Sequence, residues 1–415
     1  MQWSHPDLPG RRVRLAYCLN LHAADDLDGT LAGLRSITLP LRDRLAGGRP
    51  FGVGVYLPAA VAGFLAAPEG AGALEGLAAF LADEGLDPFT FNAFPFGRFH
   101  APGLKRGVFR PTWAEPEREA FTRAVAGVAA RLNPSVARGG HVSISTHTGA
   151  FGALDPEGAE ACAAAFARCA VELVRLEDEG GPRTILSLEA EPRANAGDSR
   201  ALAEWLERVR AAAGEAGTRH LGVCLDACHS AVEFESPAQA WAAAARPPAP
   251  LGKLQFSSAL SVPGPSGRPA ARAALEALDE PVYLHQVTGR GSAGELRVDD
   301  LPDLSAALAS PASDAWLACD EWRCHFHVPV DAASLGAELG TTRSHADELL
   351  SLALSDPGAW GSDELHLEIE TYTWGVLPGP PPAPEALVAG LEREYRHVMA
   401  LLAAGGWEPA PAPSV

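Results

Sequence analysis

Short apolar runs alternate with longer amphipathic patterns along the chain. Runs of strand length lie at 13–19 (VRLAYCL), 51–57 (FGVGVYL), 88–94 (PFTFNAF), 141–147 (HVSISTH), 184–190 (TILSLEA), 220–226 (HLGVCLD), 251–257 (LGKLQFS) and 364–371 (ELHLEIET). Between them, 156–179 carries Cys162, Phe166, Cys169, Leu173 and Leu176 at alternating spacings of four and three, which is helical. Asp155 suits its cap, Pro156 its first position, and Gly180-Gly181 its end. Similar patterns follow residue 116 (Phe121, Val125, Val128, Leu132, stopping at Asn133-Pro134), open at Asp198 (Leu202, Trp205, Val209) and occupy 384–403 (Leu387, Leu391, Tyr395, Val398, Leu402). Strand–helix alternation predicts a parallel sheet covered by helices, and eight units close a (β/α)8 TIM barrel, an α/β fold. Two further strand-like runs, 281–287 (PVYLHQV) and 323–329 (RCHFHVP), fall between the seventh and eighth. The segment 258–363 therefore reads as a long insertion over the barrel mouth, before the last strand. On this reading residues 1–407 form one domain and 408–415 a disordered tail.

Alternation inside the strands points to chemistry, because every second residue of a barrel strand faces inward. His366, Glu368 and Glu370 oppose Leu365, Leu367 and Ile369; Ser187, Glu189 and Glu191 oppose Leu186 and Leu188. Cys224 and Asp226, Gln255 and Ser257, Ser143, Ser145 and His147, and His325 and His327 likewise share faces opposite apolar neighbours. Buried carboxylates need a partner or a metal, since desolvating an unpaired charge costs several kcal/mol. Carboxylates and imidazoles converging on one lumen call for a cation, and this ligand mix suits Mn, Co, Zn, Fe or Mg. Barrel sites sit at the C-terminal strand ends, where Glu189, Asp226, Gln255 and Glu370 fall. Each has a plainer reading. A single inward Glu can pair with Lys253 or Arg323, and His366 with Glu368. His141 reads as structural, and the cysteines of 162–169 as small core residues. Phe94, Phe96, Trp322 and Phe326 can wall an apolar sugar face or simply pack.

Composition narrows the classes. The 415 residues carry 52 acidic and 33 basic side chains, a net charge of −19, which weighs against a nucleic-acid partner. The seven cysteines are odd in number, and Cys162/Cys169 and Cys224/Cys228 lack zinc-ribbon spacing. The first residues show no basic and apolar leader, and apolar runs fall short of the ~20 residues of a membrane span. A cytoplasmic protein with reduced thiols is the expectation.

The string LGVCLDACHSAVEFE at 221–235 resembles the Asp-x-x-His signature of the xylose-isomerase-like barrel superfamily, which holds sugar isomerases and epimerases as well as apurinic endonuclease IV-type enzymes. The resemblance implies a divalent metal (Mn, Zn, Co or Mg) held by Glu189 (in SLEAEP), Asp226, His229, Gln255 (in KLQFSS) and Glu370 (in LEIETY). Glu191 is an alternative to Glu189, and Glu368 to Glu370. His147 in THTG is similar to the His-Pro-Gly turn of the endonuclease branch. That branch has Asp-x-His before its last Glu, whereas this chain has His325-Phe326-His327, so its trinuclear zinc set does not carry over whole. His327 joins the expected ligands, and His147, His325, Trp322 and Phe96 are expected to contact substrate. Glu189 and Glu370 are the expected proton-moving residues.

Over nearly its full length the chain also resembles the EboE family of metabolite traffic proteins, in YCLNLH (17–22), PFGVGVYLP (50–58), FTFNAFPFGRFH (89–100), VFRPTW (108–113), VSISTHTGAFG (142–152), YLHQV (283–287) and CHFHVPV (324–330). That resemblance implies a small-metabolite partner and a functional link to a prenyltransferase-like membrane protein in the export of secondary-metabolite precursors. The leading expectation is metal-dependent isomerisation or epimerisation of a polyol, sugar or sugar-phosphate-like metabolite. Metal-assisted hydrolysis of a phosphoester and a non-catalytic metabolite carrier are the alternatives.

Overall fold

A computed structural model of the chain describes residues 1–411 apart from 135, 137–138, 247–248 and 337. Eight parallel strands form the barrel: β1 (Arg12–Cys18), β2 (Phe51–Tyr56), β3 (Leu86–Asn92), β4 (Val142–His147), β5 (Thr184–Glu189), β6 (Leu221–Asp226), β7 (Leu251–Phe256) and β8 (Glu364–Ile369). Each pairs with the next, and β8 pairs with β1 from Glu364↔Arg12 to Ile369↔Tyr17, which closes the sheet. All eight expected runs are barrel strands. Their apolar positions, such as Leu365, Leu367 and Ile369, are fully buried against the helical layer.

The helices begin where the sequence supplies a cap. Asp155 accepts from the Gly158 amide at the start of Pro156–Asp178, and Asp198 from the Ala201 amide at the start of Ser199–His220. Pro116–Leu132 and Pro384–Ala404 complete the four expected helices. Ser199–His220 is kinked at Gly214 (φ 60°, ψ −134°), a backbone that glycine adopts without strain.

The insertion is a second sheet with its own core. Its antiparallel strands lie in the order Gly294–Val298, Val287–Gly291, Glu321–Cys324, Leu260–Pro263 and Gly340–Thr341. Leu260, Val262, Leu275, Val287, Trp316 and Trp322 are buried within it. The sheet spans 260–341, narrower than the expected 258–363, because helix Arg343–Ser355 buries Leu349 and Leu350 in the barrel core. Of the run 281–287, only Val287 is in a strand: the Val282 and Tyr283 amides donate to the Glu280 carboxylate, and the His285 amide to Asp300. The strand expected at 323–329 ends at Cys324. Glu408 and Pro409, expected in the tail, pair with the short N-terminal strand Gln2–Ser4, since buried Trp407 pins the chain just before them. Residues 412–415 lie outside the described residues.

The barrel lumen is polar in layers. Near the N-terminal strand ends Glu364 pairs with Arg12 (3.0 Å) and Arg14 (3.4 Å), beside the stacked rings of His141 and His366. Midway, Lys253 Nζ lies 2.5 Å from Glu368, both fully buried. The carboxylate occupies the room left by Gly54, whose added Cβ would sit 1.6 Å from Glu368 Oε1. The third layer, at the C-terminal ends, is the candidate site.

Candidate metal centre

Glu189 ends β5, Asp226 ends β6, and Glu370 directly follows β8. Asp226 caps the short helix Ala227–Val232, its Oδ1 accepting from the His229 amide (2.9 Å) and Ser257 Oγ (2.8 Å). That cap fixes where His229 stands. The insertion brings His325 and His327 over the same strand ends. They still alternate with Cys324, Phe326 and Val328, which are buried in the second core.

The three imidazoles meet Nε2 to Nε2: 3.1 Å for His229–His325, 3.3 Å for His229–His327 and 3.0 Å for His325–His327. Each Nδ1 already faces an acceptor. His229 Nδ1 is 2.8 Å from Ala190 O, His327 Nδ1 is 3.1 Å from Glu370 O, and His325 Nδ1 is 2.6 Å from Gln286 Oε1. The Gln286 amide is oriented by its Nε2 donating to Pro192 O (2.9 Å). The Nδ1 atoms therefore carry the protons, which leaves the Nε2 lone pairs converging on one point. Burial lowers the pKa of His325 well below the ordinary value and that of His327 to about 4, so these rings are neutral near pH 7.

Carboxylates surround them. Glu191 Oε2 lies 3.3 Å from His229 Nε2, and Glu191 Oε1 lies 3.4 Å from His325 Nδ1. Glu189, Asp226 and Glu370 form one set whose ligand atoms lie within 4.8 Å of one another. Asp226, His229 and His327 form a second, and Glu191, His229 and His325 a third. Burial, then the charges of neighbouring carboxylates, push Glu189 and Glu370 well above the usual carboxylate range. For Asp226 burial acts upward, but His229 and His327 outweigh it and hold the group low. Glu189 Oε2 and Asp226 Oδ2 are buried without a hydrogen-bond partner. Unpartnered carboxylate oxygens beside converging imidazole lone pairs fit a cation, and Nδ1–H groups donated to oxygens are the usual second shell of metal-bound histidine.

The fold thus gathers Glu189, Asp226, His229, His327 and Glu370, five of the six expected ligands. His325, expected to touch substrate, stands among the donor imidazoles. Gln255 stands in register with Asp226 and Glu368; its Oε1 accepts from Cys224 Sγ (2.9 Å), while its Nε2 is buried without a partner. Glu191 and Glu189 both reach the site, whereas Glu368 is held by Lys253 and does not replace Glu370. His147 pairs in register with Glu189, but its ring packs against Phe94 and Phe109 and does not line the cleft. Trp322 is not at the mouth. It is buried in the second core with Nε1 donating to Trp316 O, because its side of the Glu321–Cys324 strand is the apolar one. Phe96 packs on Phe121 outside the lumen, while Phe94, two residues earlier, lines the cleft. Asn20 and Asn92, not named as candidate residues although they lie in the YCLNLH and FTFNAFPFGRFH segments, donate to Glu370 Oε1 at 3.3 and 3.5 Å. Their signal was a polar residue at or just past the C-terminal end of an apolar run, the position where barrel sites are built.

All seven cysteines are buried and free. Among the described residues no single helix is long and apolar enough to cross a membrane.

No family model and no curated protein matches this chain. Among solved structures it is similar to a xylose isomerase domain protein from Planctomyces limnophilus, at 13% identity over 95% of this chain and 97% of that one, with a TM-score of 0.49. It is also similar to D-allulose 3-epimerase from Methylomonas sp. in complex with D-allulose, at 14% identity over 61% and 75% of the two chains (TM-score 0.37). A third similar structure is the IolI protein with a zinc atom, at 13% identity over 55% and 67% (TM-score 0.34).

Proposed function

We propose that this barrel binds a divalent metal at Glu189, Glu191, Asp226, His229, His325, His327 and Glu370, and acts as an isomerase or epimerase on a small polyol or sugar-like metabolite. The observation that carries the metal is the meeting of three Nε2 lone pairs, each ring having given its Nδ1 proton to an oxygen. When bound, the ion supplies Lewis-acid polarisation of ligand oxygens and offsets the carboxylate charge. The chain's own groups do the rest. Asn20 and Asn92 hold the Glu370 carboxylate in place through Oε1. Glu189 lines the cleft with Oε2 unpartnered, which suits it to hold and move a proton. The sequence resemblance to the EboE family is what supports extending this proposal to the processing or traffic of a secondary-metabolite precursor, alongside a prenyltransferase-like membrane protein.

A second reading is metal-assisted hydrolysis. Asp226 and His229 each belong to two overlapping donor sets, an arrangement that favours more than one ion.

The test is metal content by mass spectrometry on protein purified without chelator, beside an Asp226→Ala/His229→Ala variant. One or more equivalents in the parent, lost in the variant, is the expected result. A parent that neither holds nor takes up Mn, Co or Zn refutes both metal readings and leaves a metabolite carrier. With a turned-over substrate in hand, Glu189→Gln separates enzyme from carrier: loss of turnover with binding retained excludes the carrier.

A further inference from the structure

We propose that the ligand of this cleft is amphipathic, with an uncharged oxygen-bearing head and an aromatic or alkyl portion, and that it carries no phosphate. This rests on the metal-centre reading above and names the class of molecule that centre takes.

The cleft has two unlike zones. Its floor is the carboxylate–imidazole cluster with Asn20 and Asn92. Its apolar walls, around a cavity of about 50 Å3, are Phe94, Phe99, Leu104, Val108 and Leu284. Phe94 and Leu284 pack with Phe109 in a small apolar cluster of their own, so one wall is a formed apolar surface. An apolar ring or chain is removed from water against these walls, while the polar side chains among the other lining residues above the floor are Lys105, Tyr283 and Tyr372.

Charge argues against phosphate from a separate direction. Phosphate is held by free Lys or Arg or by free amides at a helix start. Among the described residues lining the cleft the one lysine or arginine is Lys105, and its Nζ lies 2.9 Å from Asp300 and 3.5 Å from Asp279. The helix start beside the metal centre is also taken: the Cys228 amide donates to Ser257 Oγ and the His229 amide to Asp226 Oδ1.

The experiment uses full-length protein loaded with Zn, its metal content measured on the same sample, and calorimetric titration with three hydroxamates that share one metal-binding head. Benzohydroxamate is expected to bind at least tenfold tighter than acetohydroxamate, and phosphoglycolohydroxamate no tighter than acetohydroxamate. Leu104→Asn/Val108→Asn changes two half-buried wall residues and is expected to erase the benzohydroxamate advantage while leaving acetohydroxamate unchanged. Metal-loaded protein that binds the aceto and benzo compounds equally, or the phosphorylated one tightest, overturns the proposal and leaves the metal centre standing. Protein that holds no metal refutes the metal reading alone. The comparison then moves to phenyl-1,2-ethanediol against glycerol by saturation-transfer NMR, where preference for the phenyl diol upholds the proposal and equal binding overturns it.

Discussion

Glu394 shows how far a single buried acid can depart from its sequence context. It lies on helix Pro384–Ala404, fully buried, and accepts from Thr371 Oγ1 (2.6 Å), Trp374 Nε1 (3.0 Å) and the Val330 amide (3.1 Å). Burial pushes its pKa up to about 7 from 4.5, against those hydrogen bonds. Between these values the folded protein holds a proton that the unfolded chain has lost, so stability falls as pH rises through the window. The effect is on the order of 3 kcal/mol. Melting temperatures from pH 4.5 to 8 are expected to fall more steeply for the parent than for Glu394→Gln, and equal slopes would refute this origin. Lys253 and Glu368 make the complementary case. Lys253→Met leaves a buried carboxylate without its cation and is expected to destabilise the barrel by about 3–5 kcal/mol, with Lys253→Met/Glu368→Leu recovering much of it in urea denaturation. The inward direction of both side chains was readable from strand alternation. Lys253 was also one of the two cations expected to pair with an inward Glu, but that it takes Glu368, 115 residues away, was not readable.

At the scale of elements, caps and periodicity placed the helices well because both are local: Asp155 and Asp198 reach only three residues forward to the amides they satisfy. The insertion was harder to read. His325 and His327 follow the strand Glu321–Cys324, whose position depends on the Trp322 side chain in the second core. Trp322→Ala is expected to cost roughly 3–5 kcal/mol and to loosen this sheet first. Metal stoichiometry should fall although no donor residue has been altered. Hydrogen exchange confined to 260–341, measured together with metal content, checks this; unchanged metal retention would show that the imidazoles are positioned independently of the second core. Trp322 looked like a binding aromatic because a sequence cannot tell an apolar residue that faces a cleft from one that faces a core.

For the whole molecule, the centre joins two separately packed bodies, the barrel giving Glu189, Glu191, Asp226, His229 and Glu370 and the insertion giving His325 and His327. An ion that binds only this assembled state raises stability by mass action, about 2.7 kcal/mol at a hundredfold excess over its Kd. EDTA is therefore expected to lower the melting temperature of the parent and to leave that of Asp226→Ala/His229→Ala unchanged; equal shifts would deny a structural link between metal and fold. By itself the sequence determined the eight strand–helix units and the inward-facing polar positions, because periodicity and capping act over a few residues, and the Asp226/His229 pair through the resemblance of its Asp-x-x-His string. Only the tertiary structure decided that Glu368 goes to Lys253 and Glu370 to the centre, that Phe94 and not Phe96 walls the cleft, and that three imidazoles share one point. Those outcomes depend on barrel closure and on packing between residues far apart in the chain, where one strand's alternation says which way a side chain points but not what it meets.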